Sequence, residues 1–220
     1  TERSEDDFMR FDARLLTAEN IYQWFTVCFK ILRDNAGKPT KFIGRLSNIN
    51  EKKLEEDRLR REAQTDMLTG LYNKMTFKQL AEDMLSEGTH ALIIVDIDDF
   101  KNVNDTYGHL FGDEVILTVA SAVRDGFRSS DITGRIGGDE FAVFARDALD
   151  ENVIRNRCRQ ITARLADIDY PNGYRISVSM GISFYPRHGK DYPTLFSHAD
   201  AALYHLKKHR GKGGYAVYGE

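Results

Sequence analysis

The stretch Arg135-Ile136-Gly137-Gly138-Asp139-Glu140-Phe141 decides the fold, because it joins two short apolar segments through two glycines and two carboxylates. Glycine carries no Cβ, so the backbone can turn sharply here and approach a ligand closely. Aspartate and glutamate supply the oxygen ligands that Mg²⁺ prefers. The stretch is therefore interpreted as a phosphate and metal site at the turn of a hairpin. An ordinary hairpin without a ligand is the alternative.

Composition excludes several classes of protein. The 220 residues carry 31 basic and 34 acidic side chains, a net charge of -3, so no overall basic surface for nucleic acid is predicted. The sequence has no apolar run as long as a membrane span, no signal peptide and no cysteine framework. We expect a cytoplasmic location. Thr1 in place of a methionine indicates a piece of a longer chain, other parts of which could be attached to a membrane.

Residues 1–49 are predicted to hold three antiparallel strands, at 8–16, 22–32 and 40–48, because aromatic and β-branched residues are enriched there. Residues 33–39, between the second and third of these strands, have the composition of a tight turn. The residues that carry a family resemblance here are Trp24-Phe25, residues 34–39, Gly44 and residues 49–52. They resemble the C-terminal part of a PAS sensor domain, whose other strands and helices would precede it.

Residues 50–64 are predicted to form an exposed connector helix. Nearly every position is charged, and Glu56/Arg60 and Asp57/Arg61 have the i, i+4 spacing that stabilises a solvated helix. The apolar positions 49, 54, 59 and 63 form only a narrow edge. A short coiled coil with a second copy and a single solvated helix therefore both remain open.

Residues 65–220 alternate strands with helices. Continuous or alternating apolar residues predict strands, and apolar residues at steps of three and four predict helices. The predicted strands are 90–97, 131–136, 141–145 and 176–184, and the predicted helices are 113–127, 154–168 and 195–206. We expect an α+β domain with helices on one face of a mostly antiparallel sheet, in which the strand 176–184 is half-buried.

A second acidic cluster, Asp96-Ile97-Asp98-Asp99, follows the predicted strand 90–97. Because side chains alternate along a strand, Asp96 and Asp98 share one side. One of them could join a carboxylate of the hairpin in holding Mg²⁺ against phosphate oxygens. The backbone N–H groups of residues 99–101 could bind a phosphate. A solvated loop is the alternative.

Five motifs occur in order along residues 65–218, namely residues 66–74, 96–114, 135–141, 179–182 and 200–204. Together they resemble GGDEF-domain diguanylate cyclases, enzymes that condense two GTP molecules into cyclic di-GMP and two pyrophosphates. The resemblance implies a palm-like fold with a ferredoxin-like core and an antiparallel central sheet. It also implies a homodimer, since each domain of such an enzyme holds one GTP.

The resemblance assigns a metal site to four residues. Asp96 and Asp139, assisted by the Ile97 carbonyl, would bind two Mg²⁺ ions, or Mn²⁺ in their place. Glu140 would act at the metals or help to deprotonate the attacking 3′-hydroxyl. Asp98 stays outside this set.

The resemblance also assigns substrate contacts. Asn104 and Asp113 would recognise guanine, although Asn104 could be a turn residue and Asp113 a helix cap. His109 is expected to be structural. The other implied substrate-binding residues are Phe100, Lys101, Gly137, Gly138, Lys207 and Arg210. In the closing helix Gly211 occupies the position usual for an arginine, so Arg210 or Lys212 would have to replace it.

Arg128 and Asp131 resemble the RxxD inhibitory site, at which cyclic di-GMP binds and restrains the enzyme. The planar fork of arginine suits phosphate and guanine acceptors. A second arginine is expected from positions 155, 157 or 159, and a strand-edge salt bridge is the alternative. An active cyclase is favoured over a catalytically silent GGDEF module that binds GTP or cyclic di-GMP and regulates an attached domain such as an EAL phosphodiesterase.

Overall fold

The computed structural model describes residues 8–85 and 88–220, and the chain divides into two compact units between Ala63 and Gln64. The first unit holds a three-stranded antiparallel sheet in the order β1-β2-β3. Its strands are β1 (Phe8–Leu16), β2 (Tyr22–Arg33) and β3 (Pro39–Asn48). These three strands confirm the predicted ones. Their assignment to a PAS domain stays a prediction, and residues 1–7 lie outside the described residues.

The predicted helix at 50–64 is confirmed as α1 (Asn50–Gln64), and its role as a connector stays a prediction. None of its side chains is buried, as expected of a solvated helix. Lys53 in its first turn is bound to the sheet of the same unit, since its Nζ lies 3.3 Å from Asp12 Oδ2 and over the Trp24 ring. Pairing of this helix with a second copy stays a prediction.

The second unit is built on a six-stranded sheet in the order β4-β6-β7-β5-β8-β9. Its strands are β4 (Tyr72–Asn73), β5 (His90–Ile97), β6 (Ile132–Arg135), β7 (Glu140–Ala145), β8 (Val178–Tyr185) and β9 (Gly214–Val217). The four central strands are antiparallel, and only the edge strands β4 and β9 run parallel to their neighbours. The predicted antiparallel central sheet of an α+β domain is therefore confirmed.

Five α-helices cover this sheet: α2 (Lys74–Asp83), α3 (Phe100–Tyr107), α4 (His109–Gly126), α5 (Glu151–Ala166) and α6 (Tyr192–His205). The order β5-α4-β6-β7-α5-β8 is that of a ferredoxin-like core. Side chains of α4 and α5 pack with Ile93 and Val95 of β5, whereas those of α2 and α6 pack with Leu92 and Ile94. The expectation of helices on one face is wrong, because alternate residues of β5 are buried on opposite faces.

Strand β8 is also buried on both faces, so the prediction of a half-buried strand is wrong. Its polar residues are buried with partners: Ser179 Oγ donates to Asp98 Oδ1 at 2.8 Å, and Ser183 Oγ donates to the Leu195 carbonyl at 2.8 Å. Across residues 8–85 and 88–220, no helix has the length and apolar character needed to cross a bilayer.

Candidate active site

Asp96 and Glu140 lie directly opposite each other on the neighbouring strands β5 and β7. Opposite residues of an antiparallel pair have neighbouring side chains on one face of the sheet. Asp139 precedes Glu140 in the hairpin, and its carbonyl accepts a hydrogen bond from Ile97 N at 3.2 Å. The structure thus brings together, at an acidic edge of the sheet, the four residues for which a metal site is predicted.

Burial and repulsion both act on the carboxylates of this acidic edge. Burial raises the pKa of Asp96 above its ordinary value, the Lys207 ammonium opposes this rise, and the charges of Asp139 and Asp98 add to it. Burial, followed by the charges of Asp96 and Asp139, also raises the pKa of Glu140. A cation bound at the acidic edge would relieve this repulsion.

The donor set suits a hard divalent cation, since it consists of carboxylate oxygens with a main-chain carbonyl nearby. Within the described ranges, 8–85 and 88–220, no three acidic, histidine or cysteine side chains are close enough together to hold a metal ion. The Lys207 ammonium contacts Asp96 Oδ1 instead. The acidic edge therefore attracts a cation, and a metal would have to draw the carboxylates closer together.

The two glycines of the hairpin have different roles. A Cβ on Gly137 would lie 2.5 Å from Glu140 Oε2, so glycine leaves the room that this carboxylate needs. A Cβ on Gly138 would meet nothing within 4 Å. Neither glycine is among the residues with positive φ, so close approach rather than a left-handed backbone explains Gly137. Gly138 leaves the exposed tip of the hairpin open to a ligand.

Asp98 is a structural carboxylate. Its side chain is buried and accepts hydrogen bonds from Ser177 Oγ at 2.6 Å, Ser179 Oγ at 2.8 Å and Gly213 N at 3.0 Å. Both carboxylate oxygens are thus engaged with neighbouring segments. This supports leaving Asp98 outside the metal set.

The N-terminus of α3 follows the acidic edge directly. The helix begins at Phe100, and Asp99 before it has a φ of 56°, in the left-handed region. The first N–H groups of a helix have no partner within the helix and attract anions. Phe100 and Lys101 therefore offer backbone donors beside the carboxylates. The alternative of a solvated loop is wrong for this cluster, because Asp96 belongs to β5 and Asp98 is buried.

Asn104 lies in α3 and Asp113 lies in α4, two helices that pack together. Gly112 is buried, and a Cβ there would lie 2.0 Å from Asn104 Oδ1. Glycine at 112 therefore makes room for the Asn104 amide. Since α4 begins at His109, Asp113 lies inside the helix and is not its cap. Asn104 is therefore not a turn residue, and Asp113 is not a helix cap.

Two lysines from the last part of the chain contact carboxylates, one at the acidic edge and one just after it along the chain. Lys207 Nζ contacts Asp96 Oδ1, and Lys212 Nζ contacts Asp99 Oδ1. The hydrogen bond with Asp99 raises the pKa of Lys212, and the more distant charges of Asp98 and Asp96 add to this rise. Both ammonium groups are therefore placed where a phosphate chain could replace the carboxylates as their partner.

A π-helical turn, Leu206–Arg210, explains how Lys212 reaches this position. A π turn closes i to i+5 hydrogen bonds and so holds one more residue than an α-helical turn. Gly211, with a φ of 89°, then redirects the chain. Arg210 is exposed at the end of the π turn. Of the two candidates for the missing arginine, Lys212 is the one that contacts Asp99, just after the acidic edge.

A cavity of about 300 Å³ is lined by Arg128, Asp131, Arg146 and Arg157. The Asp131 side chain is 2% exposed and salt-bridged to Arg157. Its carboxylate accepts hydrogen bonds from Arg128 N at 2.9 Å, Arg146 N at 3.0 Å and Arg157 Nη1 at 3.2 Å. Asp131 thus holds the Arg157 guanidinium and fixes the backbone at Arg128 and Arg146, while offering little surface of its own.

The structure distinguishes the three candidates for a second arginine. Arg155 donates to Glu220 Oε1 at 2.6 Å, and Arg159 donates to the Tyr215 hydroxyl at 3.0 Å. Only Arg157 lines the arginine cavity.

Sequence reasoning did not assign a role to Arg135, Arg146 or Gly112. Arg135, next to a glycine turn, looks like an exposed charged residue in the sequence. Gly112, which precedes Asp113, looks like the start of a helix. Cys158 is buried in the core, and burial raises the pKa of its thiol to about 12. The imidazole rings of His205 and His209 lie 4.6 Å apart on the closing helix.

The second unit has a ferredoxin-like sheet. Carboxylates, lysines and a helix N-terminus lie near one edge of it, a combination that suits the binding of a phosphate chain with its metal ion. A family model described as the diguanylate cyclase GGDEF domain matches residues 63–213. The chain belongs to the GGDEF family.

Several curated proteins are similar to this chain. The cyclic di-GMP phosphodiesterase PdeR of Escherichia coli is 32% identical over 196 residues, which cover 86% of this chain and 29% of PdeR. The diguanylate cyclase TpbB of Pseudomonas aeruginosa is 35% identical over 162 residues, which cover 70% of this chain and 37% of TpbB. The chain thus spans 29% to 37% of the length of these relatives.

Solved structures show the same fold. The coiled coil and GGDEF domain of DgcB from Caulobacter crescentus, in complex with c-di-GMP, superposes with a TM-score of 0.70 at 28% identity, covering 77% of this chain and 93% of that one. The GGDEF domain of TpbB superposes with a TM-score of 0.66 at 30% identity, covering 70% and 94%.

Proposed function

We propose that the second unit is a diguanylate cyclase, which condenses two GTP molecules into cyclic di-GMP and releases two pyrophosphates. The observation that carries this proposal is the placement of Asp96 opposite Glu140, with Asp139 beside them in the hairpin and Lys207 and Lys212 nearby. Carboxylates for Mg²⁺ and lysines for phosphates are what a nucleoside triphosphate requires. The similarity to TpbB, named a diguanylate cyclase, supports GTP as the substrate.

The acidic edge would hold the metals and activate the nucleophile. Asp96, Asp139 and the Ile97 carbonyl would bind two Mg²⁺ ions, with Mn²⁺ as a substitute. When bound, such ions neutralise the charge that develops on the α-phosphate and on the departing pyrophosphate. Glu140 would accept the proton of the attacking 3′-hydroxyl or add a metal ligand. Gly137 leaves space for this carboxylate.

The two helices after the acidic edge would bind the nucleotide. The Asp113 carboxylate would accept hydrogen bonds from the N1–H and the exocyclic amine of guanine, and the Asn104 amide would pair with a further guanine edge atom. The phosphate chain would lie against the start of α3. The groups available to it there are the backbone N–H groups of Phe100 and Lys101, the Lys101 ammonium, the open backbone at Gly138, and the ammonium groups of Lys207 and Lys212.

A homodimer follows from this arrangement. One unit offers one set of guanine contacts and one acidic edge, whereas the cyclic product contains two guanosine phosphates. Each 3′-hydroxyl would therefore attack the α-phosphate of the GTP held by the other copy. The exposed connector helix offers a means of holding two copies together.

The arginine cavity would bind the product and inhibit the enzyme. Arg128, Arg146 and Arg157 provide three guanidinium groups for phosphate and guanine acceptors. Asp131 holds the Arg157 guanidinium and the main-chain N–H groups of Arg128 and Arg146. Inhibition by added cyclic di-GMP should weaken in Arg128→Ala. Arg124→Ala, an exposed arginine near the end of α4, is the matched control. Unchanged inhibition in Arg128→Ala would remove the assignment.

The test of the proposed activity is incubation with GTP and Mg²⁺ followed by separation of the nucleotides. The parent should form cyclic di-GMP, and Glu140→Gln should form little while keeping its fold and its binding of GTP. Binding of GTP without any product, from a protein shown to be dimeric, would contradict the proposal.

A catalytically silent module is the second candidate function. One relative, PdeR, is named a phosphodiesterase, and this chain matches only 29% of its length, so GGDEF domains also accompany other activities. Such a module would bind GTP or cyclic di-GMP and regulate an attached domain. Silent modules usually lack one of the acidic signature residues, and the presence of Asp96, Asp139 and Glu140 favours the enzyme.

A further inference from the structure

Arg135 is held between the start of the second unit and the tip of the acidic hairpin. Its Nε and Nη2 both donate to the Gly138 carbonyl, at 3.2 and 2.7 Å. Its Nη1 lies 3.2 Å from each carboxylate oxygen of Asp66. The Arg135 side chain is only 14% exposed, so these bonds are partly shielded from water.

Asp66 is itself fixed within a compact turn. Its Oδ1 accepts hydrogen bonds from Thr69 N at 2.9 Å and Thr69 Oγ1 at 2.7 Å. Burial opposes ionisation of Asp66, but the bonds from Thr69 and Arg135 outweigh it and lower the pKa of this carboxyl. The Arg135 guanidinium therefore binds a carboxylate that is itself held in place, and its other two N–H groups donate to the Gly138 carbonyl oxygen.

The two peptide groups that flank Asp139 are fixed from opposite sides. The peptide after it is held by the hydrogen bond from Ile97 N to the Asp139 carbonyl at 3.2 Å. The peptide before it, which carries the Gly138 carbonyl, is held by Arg135. Gly138 itself is exposed, and a Cβ at this position would meet nothing within 4 Å. These bonds therefore act on the backbone on both sides of the Asp139 side chain.

We propose that Arg135 is a positioning residue, which sets the direction of the Asp139 carboxylate through the Gly138 carbonyl and so tunes the affinity of the acidic edge for a divalent cation. This inference rests on the proposed function, in which Asp139 is a metal ligand. Groups that orient a metal ligand typically change metal affinity about 10- to 100-fold when they are lost. Lysine cannot replace Arg135, because one ammonium cannot span Asp66 and the Gly138 oxygen as the fork does.

The test is the affinity for Mn²⁺ in the presence of a non-reactive GTP analogue, measured on the 220-residue chain by electron paramagnetic resonance of the free ion. Arg135→Lys should bind Mn²⁺ about 10-fold or more weakly than the parent. Arg187→Lys is the matched control, since Arg187 Nη1 also contacts both oxygens of one carboxylate, that of Glu151, at 3.0 and 3.2 Å. It should bind Mn²⁺ like the parent.

A second variant keeps the inference testable if Arg135→Lys does not fold. Asp66→Asn leaves the guanidinium in place but removes its charged support, so a smaller loss of Mn²⁺ affinity is expected. Equal affinity in the parent and a folded Arg135 or Asp66 variant would overturn the inference, as would a parent that binds no Mn²⁺. A drop in melting temperature alone would indicate a purely structural role. Because no turnover is measured, a parent that binds Mn²⁺ but forms no dinucleotide would contradict only the cyclase proposal.

Discussion

Replacing Gly112 by alanine should strengthen α4 and weaken recognition of guanine at the same time. Gly112 lies buried inside α4, where alanine is more favourable than glycine by roughly 0.5–1 kcal/mol. The new Cβ would lie 2.0 Å from Asn104 Oδ1, whereas Phe100 Cζ at 3.4 Å is an ordinary contact. The clash is with the end of a flexible side chain, so the Asn104 amide should rotate away and leave the fold intact.

The cost to binding is the hydrogen bond that Asn104 is proposed to make with guanine. A neutral hydrogen bond contributes roughly 0.5–1.5 kcal/mol, which corresponds to about a 2- to 13-fold rise in the dissociation constant. The assay is calorimetric titration of a non-hydrolysable GTP analogue with Mg²⁺ into the parent and Gly112→Ala, with thermal melts of both proteins. An ATP analogue should show no comparable difference between the two.

Asn104→Ala provides the matched control. In that background, Gly112→Ala should still gain helix stability but should leave binding of the GTP analogue unchanged, because no amide remains to be displaced. The reasoning is refuted if Gly112→Ala binds the analogue as tightly as the parent while Asn104→Ala alone weakens it. It is also refuted if the second substitution weakens binding equally in both backgrounds.

Three further predictions concern a thiol, a carboxyl and a lysine. Burial raises the pKa of Cys158 to about 12, so at pH 8 only Cys28 should react with Ellman's reagent in the native protein. Both thiols should react in urea. Rapid reaction of two thiols in the native protein would contradict this prediction. The pKa of Asp66 is lower in the folded than in the unfolded chain, so its stabilising effect is present above about pH 4 and lost as pH falls through the folded value. The melting temperatures of the parent and Asp66→Asn should therefore differ most near pH 7 and converge in acid; a constant difference would count against the link to Arg135. Lys212→Arg should increase affinity for a GTP analogue relative to a GDP analogue, because a guanidinium can bind a phosphate through two bonds, and equal selectivity would show that Lys212 does not contact the terminal phosphate.

Strong local patterns predicted most of the elements. The apolar run at 90–97 gave a buried central strand, and the charged run at 50–64 gave the connector helix with its observed bounds. Apolar spacing cannot show what covers the other face of a strand. Ser179 and Ser183 look solvent-facing in sequence, yet they are buried because Asp98 and the Leu195 carbonyl accept their hydrogen bonds.

The sequence indicated the residues of the candidate site but not how they are arranged, and their roles stay predictions. The motifs indicated Asp96, Asp139 and Glu140, whereas the placement of Asp96 opposite Glu140 depends on strand register, which arises from tertiary pairing. The start of α4 was misplaced because Gly112 resembles a helix boundary. Glycine is needed at position 112 because the Asn104 side chain, from the neighbouring helix α3, occupies the space that a Cβ would take.

The central claim is tested most directly by quantifying both products of one reaction. The 220-residue chain is incubated with GTP and Mg²⁺ over a range of protein concentrations, and cyclic di-GMP and pyrophosphate are measured together. The account predicts two pyrophosphates for each cyclic di-GMP, with specific activity that rises as the protein dimerises and is nearly lost in Glu140→Gln. Absence of cyclic di-GMP from a dimer that binds GTP, or activity unchanged in Glu140→Gln, would contradict it.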